Sequence, residues 1–291
     1  MFLEIVEITA PVFILASIGW IWAKRGVDYD LAFVTRLAMQ LAMPCLIFST
    51  LVRAEIEPAA VQEFAVATIC LYGALAVAFG VAFKLSGLNL RVFLPPTVVN
   101  NSGNLGLPVA LYAFGDYGLA LSIVLFAIMV SLQFSIGLWF VAGPGRGWEA
   151  LRQPMVWAAL AGVACSWAGL RPPTFLDNAI GLIGQMAIPL MVLTLGVSIS
   201  RIKVASIKRA ALIAALRYPA AAAIAFGVAS GLGLEGVAFS VLILQAIMPA
   251  PVTNYLIALK YDADPPEVAG LVVISTLLSI GLIPLALSFL I

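Results

Sequence analysis

Long apolar stretches alternate with short polar loops along this whole chain. Each stretch is close to the roughly 20 residues of helix that cross the hydrocarbon core of a bilayer. Their predicted bounds are 4–23, 32–52, 61–83, 93–114, 117–141, 154–170, 176–199, 208–231, 236–259 and 267–290. The pattern therefore predicts an all-α polytopic membrane protein with ten transmembrane helices, which we number as spans one to ten.

The second five spans repeat sequence features of the first five. Residues 40–44 (Gln-Leu-Ala-Met-Pro) return as 185–189 (Gln-Met-Ala-Ile-Pro), which is 145 positions later. Because each repeat holds an odd number of spans, the second copy must be inverted in the membrane. The predicted units are a first five-helix repeat (1–142), a cytoplasmic linker (143–153) and a second, inverted repeat (154–291). Such repeats are typical of secondary transporters, whose substrate sites lie between the halves.

The apolar pattern fails at matching places in spans four and nine. Residues 100–108 read Asn-Asn-Ser-Gly-Asn-Leu-Gly-Leu-Pro, and residues 248–254 read Met-Pro-Ala-Pro-Val-Thr-Asn. In a helix interior Gly costs about 1 kcal/mol and Pro about 3 kcal/mol relative to Ala. The pattern predicts two discontinuous helices that meet at the midplane, although two ordinary proline kinks would also fit. The predicted helix-break residues are Gly103, Gly106, Pro108 and Pro251.

A helix that restarts inside the membrane has chemistry suited to anions. Its first N–H groups are unpaired and carry a partial positive charge. Pro108, Pro249 and Pro251 suit the first turn of such a helix, where no N–H is needed. Asparagine and threonine side chains add neutral donors beside it. The predicted ligand is therefore a small organic anion such as a carboxylate.

Arg217 is the one strong charge predicted deep in a span. It lies eight positions beyond Arg209, or about 12 Å along a helix that rises about 1.5 Å per residue. A charge at that depth is costly and usually functional. It could bind an anionic substrate, hold a carbonyl end of a broken helix, or snorkel towards the cytoplasm. The predicted substrate-binding residues are Asn100, Asn101, Asn104, Arg217, Gln245, Pro249, Thr253 and Asn254.

Other polar residues in the spans form a second tier of candidates, for an ion or for support of the site. They are Gln40, Ser131, Gln133, Gln185 and Ser275. The two glutamines that precede Pro44 and Pro189 by four residues have an alternative role, because such a side chain can bridge to a carbonyl freed by the proline. Small hydroxyl residues in membrane helices usually serve packing and hydrogen bonding between helices.

The chain resembles the auxin efflux carrier family in four segments, 101–108, 245–254, 261–262 and 275–279. The likeness covers essentially the whole chain and is to a bacterial-type member of the bile/arsenite/riboflavin transporter superfamily. It implies that the discontinuous helices cross, that spans one, two, six and seven form a scaffold, and that the other spans move by an elevator-like mechanism of alternating access. It also implies outward termini and a homodimer. In plant members an asparagine of the first crossover helps to bind the carboxylate, and Asn101 is its counterpart.

Composition and charge fix the environment and the orientation. The chain is 63% hydrophobic and only 10% charged, whereas a soluble protein carries about 25% charged residues. Twelve basic residues lie on one side of the predicted spans, against Arg53 and Arg171 on the other. The twelve are Lys24, Arg25, Arg36, Lys84, Arg91, Arg146, Arg152, Arg201, Lys203, Lys208, Arg209 and Lys260. The positive-inside rule then predicts a bacterial cytoplasmic membrane protein with both termini outside.

The missing residue types exclude other functions. There is no histidine, and no acid falls in the middle of a span. We therefore expect no metal site, no cofactor, no nucleic-acid partner and no enzymatic activity. Coupling to Na⁺ or H⁺ stays open, since neutral oxygens can bind Na⁺. The predicted function is a secondary transporter of a small organic anion in contact with membrane lipid. The alternatives are a sodium-coupled symporter of the bile-acid type and an ion channel.

Overall fold

The computed structural model describes residues 2–54, 57–143, 147–202 and 207–291, and every regular element in these ranges is helical. The α-helices are α1 Phe2–Lys24, α2 Leu31–Leu37, α3 Met43–Arg53, α4 Pro58–Leu85, α5 Leu90–Val98, α6 Leu107–Leu132, α7 Leu138–Ala142, α8 Pro154–Trp167, α9 Thr174–Gln185, α10 Ala187–Arg201, α11 Ile207–Gly231, α12 Gly236–Ala246, α13 Val252–Tyr261 and α14 Pro265–Leu290. Three π-helical segments, Ala38–Ala42, Ser102–Gly106 and Gln133–Gly137, connect α-helices, and a 3₁₀-helix covers Gly147–Arg152.

Seven stretches of the described chain are long and apolar enough to cross a membrane. They are Leu3–Lys24, Leu31–Arg53, Pro58–Leu85, Leu90–Ala142, Thr174–Arg201, Ile207–Gly231 and Pro265–Leu290. The prediction of an all-α polytopic membrane protein is confirmed. The count of ten spans stays a prediction, because spans six and nine appear only as the shorter apolar helices Pro154–Trp167 and Gly236–Ala246.

The stretch Leu90–Ala142 contains predicted spans four and five. Its 53 residues are more than twice the length of one crossing. The backbone leaves the helical region at Gly115, where φ is 64° and ψ is −159°. A residue with a side chain rarely adopts a positive φ, so glycine suits this reversal. Spans four and five are thus joined by one sharp turn and have no loop between them.

Contacts made by arginine side chains bring several basic loops to one end of the bundle. Arg201 donates to the carbonyl of Tyr29 at 3.0 Å, and Arg91 donates to the carbonyl of Tyr261 at 2.6 Å. Near the same end, Arg209 pairs with Glu267 at 2.9 Å. Two other residues assigned to this side, Arg146 and Lys203, and part of the predicted linker (144–146) lie outside the described residues.

The most extensive helix contacts fall within two groups of helices, and contacts of α1, α3 and α8 with α6, and of α1 with α14, join the groups. In one group α1 lies along α10, and α3 packs against α8 and α9. In the other, α4 packs against α5, α6 and α11, while α14 packs against α11 and α13. The first group corresponds to predicted spans one, two, six and seven, and the second group to the remaining spans.

Glycine allows the close approach of α1 and α10. A Cβ atom added to Gly196 would collide with the backbone carbonyl of Ala16, and one added to Gly19 would collide with that of Leu193. Small residues at helix contacts allow backbones to approach closely in membranes, where van der Waals packing drives association. The two glycines lie on opposite helices of this one contact.

We expect Gly196→Ala to destabilise the protein by about 1–3 kcal/mol, because the obstructing atom belongs to the backbone and cannot rotate away. The control is Gly227→Ala in α11, where an added Cβ meets nothing within 4 Å. Thermal unfolding of the purified protein in detergent measures both. Equal midpoints for Gly196→Ala and the unchanged protein would show that the α1–α10 contact tolerates a methyl group.

Candidate functional site

Two helix interruptions face each other inside the bundle. Helix α5 ends at Val98, the backbone is extended at Val99, and the chain becomes helical again at Ser102. Helix α12 ends at Ala246, and α13 begins at Val252. The backbone N–H of Asn101 donates to the carbonyl of Pro249 at 2.7 Å. The interruptions predicted in spans four and nine are therefore present and in direct contact.

The first interruption comes earlier than predicted. Gly103 and Gly106 lie within the π-helical segment Ser102–Gly106, and Pro108 is the second residue of α6. Pro108 lies in the first turn of α6, as predicted, whereas Gly103 and Gly106 lie outside the non-helical residues between α5 and the π-helical segment. The small size of the two glycines serves packing instead, because a Cβ on Gly106 would collide with the Gln245 amide and one on Gly103 with the Phe126 ring.

The two prolines of the second interruption lie in its non-helical segment. Pro251 is the N-cap of α13, and Pro249 lies two residues before it. The expectation that both occupy the first helical turn is therefore wrong, although Pro251 does mark the break. The missing N–H of each proline suits a segment that has no helical acceptors.

Asn100 ties the two interruptions together and is fully buried. Its Oδ1 accepts from the hydroxyls of Tyr72 at 2.9 Å and Ser102 at 2.6 Å. Its Nδ2 donates to the carbonyl of Gln245 at the end of α12. Because these bonds use both polar atoms of the side chain, the role of Asn100 is structural.

Four further predicted residues are buried near the interruptions and form hydrogen bonds there. Gln245 is fully buried, and its Nε2 donates to Ser122 at 3.0 Å, while its Oε1 has no hydrogen-bond partner. Asn254 accepts from Gln133 at 3.1 Å. Ser275 accepts from the backbone N–H of Ala250 at 3.0 Å, so its predicted contact with the crossover is confirmed.

A cavity of about 220 Å³ lies beside the two interruptions. Of the predicted residues it is lined by Asn100, Asn101, Gly103, Asn104, Gln133, Pro251 and Thr253. Every described residue in its wall is neutral. The rest of the wall includes residues that the sequence analysis missed, among them Thr35, Met39, Gln153 and Met191. A lone hydroxyl or thioether in an apolar helix carries no signal that distinguishes it from packing.

Asn101 differs from Asn100 because one polar atom of its side chain has no hydrogen-bond partner. Its Oδ1 caps the restarted helix by accepting from the N–H of Asn104 at 3.3 Å. Its Nδ2 is buried and has no partner, and the residue lines the cavity. A buried donor without a partner costs about 1–3 kcal/mol. A ligand with an acceptor oxygen at this position would remove that cost.

Arg217 is buried, with only 1% of its surface exposed. Its Nε donates to the carbonyl of Thr97 at 2.8 Å, in the last turn of α5. The interpretation that it holds a carbonyl end of a broken helix is confirmed, and snorkelling is wrong. Arg217 is absent from the cavity wall, so the structure gives it no direct contact with that space.

Four other predicted residues also lie apart from the cavity wall. Gln40 and Gln185 are exposed, at the π-helical segment before Pro44 and at the end of α9 before Pro189. Neither side chain makes a hydrogen bond in the described structure, so the predicted bridge to a carbonyl is also absent. Ser131 bonds to Ala127 within its own helix at 2.8 Å. Pro249 contributes its carbonyl to Asn101 but does not line the cavity.

The sequence model of the family described as "Membrane transport protein" matches residues 4–150 and 145–287, which together cover nearly the whole chain. The chain belongs to this membrane transport protein family. The predicted membership of the auxin efflux carrier family is thereby confirmed. The protein is a transmembrane transporter of that family.

Relatives of this transporter extend over most of its length. It is 28% identical to an uncharacterized transporter of Methanothermobacter thermautotrophicus, over 98% of each chain. It is 25% identical to an uncharacterized transporter of Methanocaldococcus jannaschii, over 96% of each chain. It is also 24% identical to a Rhizobium meliloti protein named "Putative malonate transporter", over 68% of this chain and 67% of that protein.

We expect Asn100→Ala to destabilise the transporter by at least about 2 kcal/mol, because it leaves several buried hydrogen-bonding groups unpaired. Asn178→Ala, at an exposed position of α9, is the matched control. Thermal unfolding in detergent compares the two variants. An Asn100→Ala midpoint as high as that of Asn178→Ala would contradict the structural role of Asn100.

Proposed function

We propose that this protein is a secondary transporter that carries a small carboxylate through the cavity beside its two helix interruptions. The observation that carries the proposal is the Nδ2 donor of Asn101, which is buried, unpartnered and at the cavity wall. It lies at the start of the restarted helix, where the helix dipole favours an anion. A carboxylate oxygen supplies both the acceptor and the negative charge that this arrangement suits.

The volume of the cavity favours a short substrate. The cavity measures about 220 Å³. Pockets for drug-sized ligands are larger, about 300–1,000 Å³. The name of the Rhizobium meliloti relative, which refers to malonate, agrees with a substrate of a few carbon atoms.

The two helix starts at the cavity favour a dicarboxylate. Asn101 and Asn104 line it from the first interruption, and Pro251 and Thr253 line it from the second. Each interruption therefore presents the positive end of a helix to the same space. A short dicarboxylate such as malonate could direct one carboxylate to each helix start, without any charged side chain in the wall.

We also propose the finer architecture predicted from the sequence, namely ten spans in two inverted repeats and an elevator-like movement against a scaffold. Its support is that helix contacts recur between corresponding elements. The contact of α1 with α10 corresponds to that of α8 with α3, and the contact of α4 with α5 corresponds to that of α11 with α12. Wall residues Thr35 and Gln153 lie near the ends of helices that carry the basic loops, so the cavity faces the cytoplasm in this arrangement.

We expect Asn101→Ala to weaken malonate binding about tenfold or more, because a hydrogen bond to a charged group contributes about 1.5–3 kcal/mol. Asn178→Ala is the control, and each shift is taken from the ligand-free midpoint of the same protein, because Asn101→Ala also removes the cap on the Asn104 N–H. Binding is measured by ligand-induced thermal shift over a panel of carboxylates, with and without Na⁺, and transport by uptake into proteoliposomes. The proposal fails if no carboxylate stabilises the unchanged protein and Asn101→Ala transports normally.

The proposed topology predicts the location of a reporter fused to each end of a repeat. Alkaline phosphatase should be active, and green fluorescent protein dark, when fused after Ile291, because that terminus is expected outside. The reverse is expected for fusions after Gly143, at the proposed cytoplasmic linker. Fluorescence from a fusion after Ile291 would overturn the proposed orientation.

A further inference from the structure

Arg217 is a buried cation that forms no ion pair with any residue of the described chain. Its Nε bonds to the Thr97 carbonyl, its Nη1 has no hydrogen-bond partner, and its guanidinium lies 5.7 Å from the centre of the Tyr218 ring. These partners are neutral, so the charge is left uncompensated. Charges inside a protein are screened much less than charges in water, and their effect extends further.

The two interruptions by themselves are close to electrically balanced. Each creates one helix start and one helix end, with partial charges of about +0.5 and −0.5. The starts at Ser102 and Val252 favour an anion in the cavity, while the ends at Val98 and Ala246 oppose it. Neutral donors such as the Asn101 amide also donate to the oxygen of a neutral carbonyl compound, so hydrogen bonding alone favours a carboxylate only in part.

Arg217 disturbs this balance at only one of the two helix ends. It bonds to a carbonyl in the last turn of α5. In the predicted repeat Tyr218 matches Tyr72, an offset of 146, so the residue that corresponds to Arg217 is Leu71. At the end of α12, the Gln245 carbonyl instead accepts from the neutral Asn100 amide. One carbonyl end is therefore offset by a full positive charge, and the surroundings of the cavity become positive on balance.

We propose that Arg217 determines the charge specificity of the cavity, so that anions are selected over neutral molecules of the same shape. It acts from behind the first half-helix and does not touch the substrate. This inference rests on the proposed function, because it concerns selectivity among ligands of that same site. The wall residues then form the hydrogen bonds to the substrate, and Arg217 discriminates between ligands by their charge.

The test compares malonate with malonamide, its neutral diamide, on the purified full-length protein. Arg217→Gln keeps a donor for the Thr97 carbonyl and removes the charge, whereas Arg217→Lys keeps both. Arg53→Gln, which removes an arginine from the exposed pair with Asp177, is the control. Calorimetric titration gives the ratio of the two affinities for each protein.

We expect Arg217→Gln to reduce the preference for malonate over malonamide about tenfold, or about 1.4 kcal/mol. Its affinity for malonamide should stay unchanged, which a merely structural defect would not produce. Arg217→Lys and Arg53→Gln should keep the original ratio within about threefold.

The outcomes separate this inference from the function on which it rests. An unchanged ratio in Arg217→Gln overturns the role of Arg217 and leaves the anion site standing. If Arg217→Gln does not fold, loss of selectivity in a folded Arg217→Lys protein overturns it equally. An unaltered protein that binds no carboxylate, or that binds the diamide as tightly as malonate, overturns both proposals.

Discussion

The hydrogen bond from the Asn101 N–H to the Pro249 carbonyl joins two segments that could not exist separately in a bilayer. An interrupted helix leaves backbone groups unpaired, and each such group costs several kcal/mol in hydrocarbon. Here each interruption supplies partners for the other. The Asn100 amide donates to the Gln245 carbonyl, and a third element, α14, contributes Ser275 as the acceptor of the Ala250 N–H. The two halves of the chain are thus required together for either interruption to form.

Asn100 and Asn101, which are adjacent in the sequence, have different roles where the two interruptions meet. Asn100 uses its side chain to hold the two interruptions, whereas Asn101 keeps one amide donor at the cavity wall. The same division extends to Gln245 and Thr253, since the first is enclosed in the network and the second lines the cavity. A rigid polar network therefore supports a small set of groups that remain available for a ligand.

The places where the apolar pattern fails could be predicted from the sequence, because amides, glycines and prolines are costly in a lipid-facing helix. The depth of Arg217 could be predicted for the same reason. Its partner could not, since the Thr97 carbonyl comes from a helix 120 positions earlier in the chain. The rotation of each helix about its own axis could not be predicted from the sequence either. It turns Gln40 and Gln185 outward and brings Thr35 and Met191 to the cavity. Rotation depends on packing between helices, which one sequence does not specify.

The proline content of the second interruption has a consequence for the balance of donors and acceptors where the two proposed repeats meet. Proline has a carbonyl but no N–H, so residues 249 and 251 add acceptors without adding donors that would need partners. The first interruption supplies donors to the second half of the chain, through the Asn101 N–H and the Asn100 amide. Two proline-rich segments would face each other with a surplus of carbonyls, and two amide-rich segments would bury a surplus of N–H groups. Unlike sequences therefore satisfy this junction better than two identical ones would.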